Sequence, residues 1–481
     1  LFFSVVWAIY YRYFVREMPR VKYVRTMWNA MIVEKAKLQK AEFCPTIWAF
    51  NRHAQTIICL VVSSIEFLWD DEIEFEMEKI SSFDAAESEN TQTLHWASFK
   101  DIRTETNSSP QPIVVIVHGF GDNRYHPYIQ RICRSIHNSG WRAAVFSYWR
   151  FDFGETRDLE AVLSHVQERN PMAPIIAIAY SAGGHLLLKY LQATGKKTPL
   201  VAAISCSGCF DLPYTIENIV ENENVSYRLY LNQQAKVCAQ RHIAHDEAID
   251  RNALFTVVRE NPDCQRLYDK FLYSLPTYSY KDEELHQNFP SYEYRKQTHK
   301  QYENQAAKHM EKVQITTLIL HAEDDPIVSD GHVNWDEVDA NKSIITMKTR
   351  RGGHVAWYEG VLPFGETWCD RVCCRFISGV LEAHSQTTFM VDVITRLRAL
   401  EYPPNGGGGV SENKGKMEKK EEHNEGKANV KNKGSHPQNT TREISLTACT
   451  PLSTRAALSR PYAIARICSA SDIQDIKAAL S

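Results

Sequence analysis

The stretch of sequence that decides the fold is APIIAIAYSAGGHLLLKYL, residues 173–191. Its Ile- and Ala-rich first half is typical of a parallel strand that is buried on both faces. A Leu-rich helical pattern begins immediately after Ser181, which predicts a sharp strand-to-helix turn with the serine at its apex. Ala179 and Gly183, two residues before and after the serine, are small, as such a tight turn requires. Ser181 is therefore a candidate nucleophile, and the alternative is an ordinary helix N-cap serine.

Short β-branched runs alternate with helical patterns on both sides of this turn, between about residues 94 and 382. This alternation predicts an α/β fold with a mostly parallel sheet and helices on both faces. The strand signal fails from 213 to 313, where polar, Tyr-rich sequence predicts a helical cap insertion. The six strand candidates are 112–119, 142–148, 173–180, 200–206, 315–322 and 343–348.

An acyl-transfer nucleophile also needs backbone N–H groups directed at the oxyanion that develops during the reaction. The sequence VIVHGFGDN, residues 115–123, ends an earlier strand in an H-G-x-G turn. We predict that the N–H groups of Phe120 and Ala182 are these donors. The alternative for the H-G-x-G segment is a plain glycine turn.

A serine hydroxyl must lose its proton to an imidazole, and a carboxylate orients that imidazole. Two predicted strands after the insertion end in such groups: one in Asp324 and Asp325, the next in a loop that carries His354. Each could be an ordinary loop residue. The order Ser, Asp, His is the one that this architecture uses, so together they predict a triad.

Six stretches identify a resemblance to the YheT-like branch of the α/β-hydrolase superfamily, a group of esterases and lipases whose animal members are membrane-anchored proteins with this domain. The resemblance implies the α/β-hydrolase fold, with Ser181 as nucleophile and His354 as base. It also implies Asp325 as the acid, because the family's spacing favours the second aspartate, and Asp324 then shapes the turn. The matching stretches are CPTIWAFNRHAQTI (44–57), HGFGDNRYHPYIQRICRSIHNSGWRAAVFS (118–147), YSAGGHLLLKYL (180–191), SGCFDL (207–212), AEDDPIV (322–328) and GGHVAWYEG (352–360).

The chain departs from the family pattern in three places. Ala179 replaces the usual glycine, the loop at 149–155 is shorter than the family's, and the cap region matches poorly. The short loop puts part of a pocket wall in doubt. Substrate preference is therefore the property that the resemblance transfers least.

Composition excludes several classes of protein. The chain has 481 residues, of which 43% are hydrophobic and 23% charged, so it has enough apolar mass for a globular core. Its net charge of −3 gives no field that would attract nucleic acid. The 12 cysteines are too sparse for a disulfide scaffold, and no Cys, His or Asp group has metal-ligand spacing. The sequence therefore predicts chemistry without a metal or cofactor, and it indicates no obligate protein partner.

The two ends of the sequence differ from the middle. The apolar run LFFSVVWAIYYRYFV, with basic residues after it, predicts a membrane anchor within 1–25 that begins in a longer protein. The alternatives are a signal-peptide remnant and a buried amphipathic helix. The Lys-, Glu-, Asn- and Gly-rich segment 401–481 predicts a largely disordered tail. The hydrolase domain is expected to occupy 40–400.

These observations lead to one main functional hypothesis and two alternatives. The main hypothesis is a serine hydrolase that cleaves carboxylic esters of lipids. Its substrates would be acylglycerols or phospholipids, and it could act as a carboxylesterase on short- to medium-chain esters. The protein is expected to be held in a membrane by a single-pass N-terminal anchor, and the endoplasmic reticulum is a candidate membrane. The side of the membrane on which the hydrolase domain lies is left open. An alcohol O-acyltransferase would use the same acyl-enzyme. A non-catalytic binding protein with the hydrolase fold would lack a triad member, and none is missing.

Overall fold

A computed structural model describes most of the chain up to residue 401. The described residues are 2–66, 73–81, 91–100, 110–148, 156–211, 215, 227, 229–231, 233–234, 306, 309–329, 331 and 333–401. The short loop 149–155, nearly all of the predicted cap 213–313 and the predicted tail after 401 lie outside them.

The described residues form a nine-stranded sheet in the order β1-β9-β8-β7-β6-β4-β5-β3-β2. Neighbours from β5 through β4 and β6 to β9 are parallel, and the strands at both edges are antiparallel. The sheet is therefore mostly parallel, as predicted. The strands are β1 Arg20–Tyr23, β2 Ile73–Ser81, β3 Thr91–Phe99, β4 Ile113–Val117, β5 Arg142–Ser147, β6 Ile175–Tyr180, β7 Leu200–Cys206, β8 Thr316–Ala322 and β9 Ile344–Thr349.

All six strands that the sequence predicted are present, as β4 to β9. The two edge strands, β1 and β2, and β3 beside β2 were not predicted. In β2, Glu74, Glu76 and Glu78 alternate with apolar residues, which suits an antiparallel edge with one solvated face better than a buried strand. β1 is only four residues long and lies in a basic segment, so no period is readable from it.

Helices cover both faces of the sheet. Side chains alternate along β4, so that Val115 joins the core beneath α5 and α6, while Val114 and Ile116 join the core beneath α4 and α8. The α-helices are α1 Phe2–Tyr10, α2 Met27–Lys35, α3 Arg52–Glu66, α4 Pro127–Asn138, α5 Arg157–Arg169, α6 Ala182–Thr194, α7 Trp335–Ala340 and α8 Trp368–Glu401.

The last helix confirms a predicted buried face. Trp368, Val372, Phe376 and Val380 recur every fourth residue and are all at most 1% exposed. They pack on the same core as α4, on the face of the sheet opposite α6. Helix α8 therefore closes one side of the domain.

The N-terminal segment begins with α1, whose side chains are exposed or nearly so, followed by a π-helix at Tyr11–Val15. Within the part of the chain that the structure describes, no helix is both long enough and apolar enough to cross a bilayer. β1 pairs with β9, although it falls inside the predicted anchor range 1–25. The folded domain therefore includes residues before its predicted start at 40.

Candidate active site

The turn between β6 and α6 has the geometry of a nucleophile elbow. Ser181 stands between them with a φ of 52° and a ψ of −120°, a region that L-residues other than glycine rarely occupy. Its main chain is held by hydrogen bonds: its N–H donates to the Cys206 carbonyl (3.0 Å), and its carbonyl accepts from Cys209 N (3.2 Å) and His185 N (3.3 Å). The strained backbone is thereby fixed, and the side chain stands clear of both elements.

Gly183 lets the elbow approach the end of β4. A Cβ atom added to Gly183 would lie 2.3 Å from the His118 carbonyl oxygen and 2.7 Å from that of Val117. Both contacts are with backbone atoms, which cannot move away by a change of rotamer as a side chain can. Ala179, in contrast, has its methyl group fully buried in the core of the sheet, so the structure accommodates this departure from the family's glycine.

Replacing Gly183 with alanine is expected to destabilise the fold by about 1–3 kcal/mol, because the methyl group must push β4 and α6 apart. Displacement of the H-G-x-G loop should also lower kcat. Urea unfolding and ester turnover measure the two effects. Gly140→Ala is the control, since that position has no atom within 4 Å of an added Cβ and pays only for its positive φ. Activity equal to wild type in Gly183→Ala would contradict the steric account.

The structure brings three of the predicted residues together. His354 Nε2 lies 2.9 Å from Ser181 Oγ, and His354 Nδ1 lies 2.8 Å from Asp325 Oδ2. The carboxylate is buried, and its other oxygen accepts hydrogen bonds from the N–H groups of Ile327 and Val328, both at 2.9 Å. This arrangement can pass a proton from the serine to an oriented imidazole.

The loop that carries His354 is positioned by side chains other than Ser181 and Asp325. His354 N donates to Thr56 Oγ1 of α3 (3.0 Å), and Val355 N donates to Ser207 Oγ (3.2 Å). Sequence reasoning did not single out Thr56 or Ser207. Both lie within or beside stretches that carried the family resemblance, and this was the one signal that could have indicated them.

The Asp324 side chain contacts the backbone of the loop that carries His354. Its Oδ1 accepts a hydrogen bond from Gly353 N (2.9 Å), while Asp325 occupies the position against the imidazole. Burial raises the pKa of Asp324 to about 7; the Gly353 N–H opposes this rise and the neighbouring Asp325 adds to it. The two adjacent aspartates therefore have different surroundings.

The Asp324 carboxyl group is expected to make the fold less stable as the pH rises. Its folded-state pKa of about 7 lies above that of an unfolded aspartate, so the folded state keeps a proton that the unfolded state loses above about pH 4. Its contribution to stability is complete below that pH and disappears as the pH passes through about 7. Urea unfolding between about pH 5 and 8 should show wild type losing stability relative to Asp324→Asn. A constant difference would contradict the prediction.

The H-G-x-G loop lies directly beside Ser181. A Cβ atom built on Gly119 would be 3.4 Å from Ser181 Cβ. The Gly119 N–H donates to Tyr128 Oη, which donates to Asp122 Oδ2, both at 2.8 Å. Tyr148 Oη donates to the His118 carbonyl (2.8 Å), from a position stacked on the imidazole of His118.

This network bears on the predicted oxyanion donors. The Gly119 N–H is committed to Tyr128, so it is not a candidate donor. The Ala182 N–H is the first of α6 and has no acceptor within the helix. The assignment to Phe120 and Ala182 stays a prediction. Sequence reasoning missed Tyr128, Asp122 and Tyr148, because tyrosine and aspartate near a glycine turn have no distinctive spacing.

Comparison with known proteins places these features in a family. A family model with the description alpha/beta hydrolase fold matches residues 112–361, which is more than half of the chain. Mouse "Phospholipase ABHD3" is 25% identical over 399 residues, which cover 79% of this chain and 89% of that protein.

Two further relatives are also named as an esterase and a lipase. Escherichia coli "Putative esterase YheT" is 25% identical over 57% of this chain and 79% of its own length. Saccharomyces cerevisiae "Monoacylglycerol lipase" is 26% identical over 56% of this chain and 59% of its own length. The resemblance to the YheT-like branch is thus confirmed.

Proposed function

The chain belongs to the α/β-hydrolase family, and from this premise we propose that it hydrolyses carboxylic esters of lipids through an acyl-enzyme formed on Ser181. The observation that carries the proposal is the pair of hydrogen-bond distances from His354 to Ser181 and to Asp325, 2.9 and 2.8 Å. All three side chains extend from the carboxyl ends of parallel strands, where ligands bind in folds of this kind.

The proposed reaction has two halves. Ser181 Oγ attacks the ester carbonyl carbon while His354 Nε2 takes its proton, and the N–H groups of Phe120 and Ala182 stabilise the oxyanion. His354 then protonates the leaving alkoxide. Water, deprotonated by the same imidazole, attacks the acyl-enzyme carbonyl carbon. The bond to Ser181 Oγ then breaks, the imidazolium returns the proton to Oγ, and the acid is released. Asp325 holds the imidazole in orientation and stabilises its cation.

The substrate class follows from the relatives. Because proteins named as a phospholipase and as a monoacylglycerol lipase are similar to this chain, acylglycerols and phospholipids are the proposed substrates. Purified protein should be assayed separately with three kinds of substrate. These are mixed micelles of a monoacylglycerol, mixed micelles of a phosphatidylcholine with short or long acyl chains, and a water-soluble butyrate ester. Free fatty acid from at least one lipid, absent with Ser181→Ala, is expected. Turnover of the butyrate ester alone would restrict the function to a carboxylesterase.

We further propose that the N-terminal segment attaches the protein to a membrane. The segment 2–14 presents large apolar side chains to solvent, with Phe2 and Phe3 74% and 86% exposed. The proposal includes the single-pass anchor. Fractionation of cells that express the protein should recover it with membranes. Recovery entirely in the soluble fraction would contradict the anchor.

Glycosylation distinguishes a hydrolase domain on the lumenal side of the membrane from one on the cytosolic side. Asn107, Asn224, Asn341 and Asn439 each begin an N-x-S/T pattern. Asn341 is a poor acceptor in the folded domain, because its Nδ2 already donates to the Met310 and Val313 carbonyls (2.6 and 3.0 Å). A mobility shift after glycosidase treatment would establish a lumenal domain, and it should persist in Asn341→Gln.

A further inference from the structure

Three buried cysteines meet beneath the nucleophile elbow. Cys206 ends β7, and Cys369 and Cys373 lie one turn apart on α8. Cys206 Sγ is 3.6 Å from Cys373 Sγ and 3.7 Å from Cys369 Sγ, and all three sulfur atoms lie within 4.8 Å of one another. Each residue is at most 3% exposed. The thiols are reduced, because no pair is at bonding distance.

The spacing of the sulfur atoms matches that of thiolates around one cation. Zinc binds thiolate sulfur at about 2.3 Å, so tetrahedral geometry separates two sulfur ligands by about 3.8 Å. The two measured separations are within 0.2 Å of this value. The set contains no carboxylate or imidazole, and an all-thiolate set favours soft or borderline cations over Mg²⁺ and Ca²⁺.

A buried hydroxyl group accompanies the thiols. Tyr180, the last residue of β6, is 1% exposed, and its Oη has no hydrogen-bond partner among the described residues. Tyr180 is paired with Cys206 across β6 and β7, and it shares one hydrophobic core cluster with Cys369 and Cys373. A buried O–H without a partner is costly. It would be satisfied by donating to a bound thiolate or by approaching the open position of a three-sulfur site.

We propose that Cys206, Cys369 and Cys373 form a structural site for one thiophilic divalent cation of the zinc class, with the Tyr180 hydroxyl group beside its fourth position. Cation binding displaces the thiol protons to solvent. The affinity for the cation therefore increases with pH. The cation would join β7 to α8. Because the Ser181 N–H donates to the Cys206 carbonyl, the joint also supports the backbone of the elbow.

The sequence did not reveal this site. The prediction of no metal site depended on ligand spacing along the chain, and Cys206 lies 163 residues before Cys369. The conspicuous C-x-x-C pair is Cys206 and Cys209, yet Cys209 Sγ contacts Thr215 Oγ1 at 3.2 Å instead. Parallel-strand topology is what brings β7 and α8 together.

The test uses the full chain, purified without chelators from cells grown with added zinc. Elemental mass spectrometry is expected to give about one zinc per chain. Titration of the metal-free protein with Cd²⁺, a spectroscopic substitute for zinc, should produce an ultraviolet thiolate-to-cadmium band that saturates near one equivalent. Bound Cd²⁺ should also raise the melting temperature.

Two variants separate this site from other cysteines. Cys373→Ser should lose the zinc, most of the cadmium band and the increase in melting temperature. Cys374→Ser, the next residue on the same helix, should keep all three. Should Cys373→Ser fail to fold, Cys369→Ala and Cys206→Ala are tested in the same way, with circular dichroism as the check on folding. No bound zinc together with no band at one equivalent of Cd²⁺, a band unchanged in Cys373→Ser, or a Cys206–Cys373 disulfide in the purified protein would each overturn the proposal.

Discussion

Ser181→Ala is expected to lower ester turnover by about 10⁶-fold, because the three residues of such a unit depend on one another and the nucleophile has no substitute. The alanine side chain has no oxygen at the position 2.9 Å from His354 Nε2, so no acyl-enzyme can form. The measurement combines kcat for a water-soluble ester with labelling by a fluorophosphonate probe. Both signals should disappear together.

Ser139→Ala is the matched control, since Ser139 is the C-cap residue of α4 and its Oγ donates to the Ser135 carbonyl. It should keep full turnover and full labelling. Circular dichroism and the melting temperature should be close to wild type for both variants. Probe labelling that persists in Ser181→Ala would assign the nucleophile to another residue, whereas absence of labelling in correctly folded wild-type protein would favour the non-catalytic alternative.

The central sheet and the elbow could be predicted because buried parallel strands have a strong sequence signal. The runs that became β4 and β6 are nearly continuous in Val, Ile and Ala, β8 has Leu-Ile-Leu at its centre, and each is followed by a residue of the candidate site. In a parallel sheet the carboxyl ends of such strands meet at one edge. The order of strands and acids along the chain was therefore enough to expect Ser181, His354 and one of the two aspartates, Asp324 or Asp325, in one place, and the family resemblance favoured Asp325.

The features that the sequence did not reveal depend on contacts between distant segments. Tyr128 binds the Gly119 N–H only because α4 packs behind the loop, and no local pattern encodes that contact. The edge strand β2 is half charged, and its pairing with β3 is visible only once both strands exist. The thiol cluster likewise requires the fold to bring Cys206 to α8. Local periodicity predicts elements, but it does not predict which side chains meet.

Asp325→Asn is expected to lower kcat by about 10⁴-fold, the size of effect that follows when the imidazole is held in the wrong tautomer. Asp325 Oδ1 accepts two backbone N–H groups, so an asparagine would keep its carbonyl oxygen there and turn its NH₂ group toward His354 Nδ1. The imidazole would then accept at Nδ1 and carry its proton on Nε2. It could no longer take the proton of Ser181.

Asp324→Asn is the comparison that makes the result specific, because it applies the same chemical change to the adjacent residue. The asparagine carbonyl can still accept from Gly353 N, so the loop that carries His354 keeps its support and kcat should stay within about tenfold of wild type. Stopped assays at high enzyme concentration measure the weak activity of Asp325→Asn, with labelling by the fluorophosphonate probe as a second readout. If Asp324→Asn were the more damaged enzyme while both variants remained folded, the acid of the triad would be Asp324, and the 2.8 Å contact between Asp325 and His354 would not be the catalytic one.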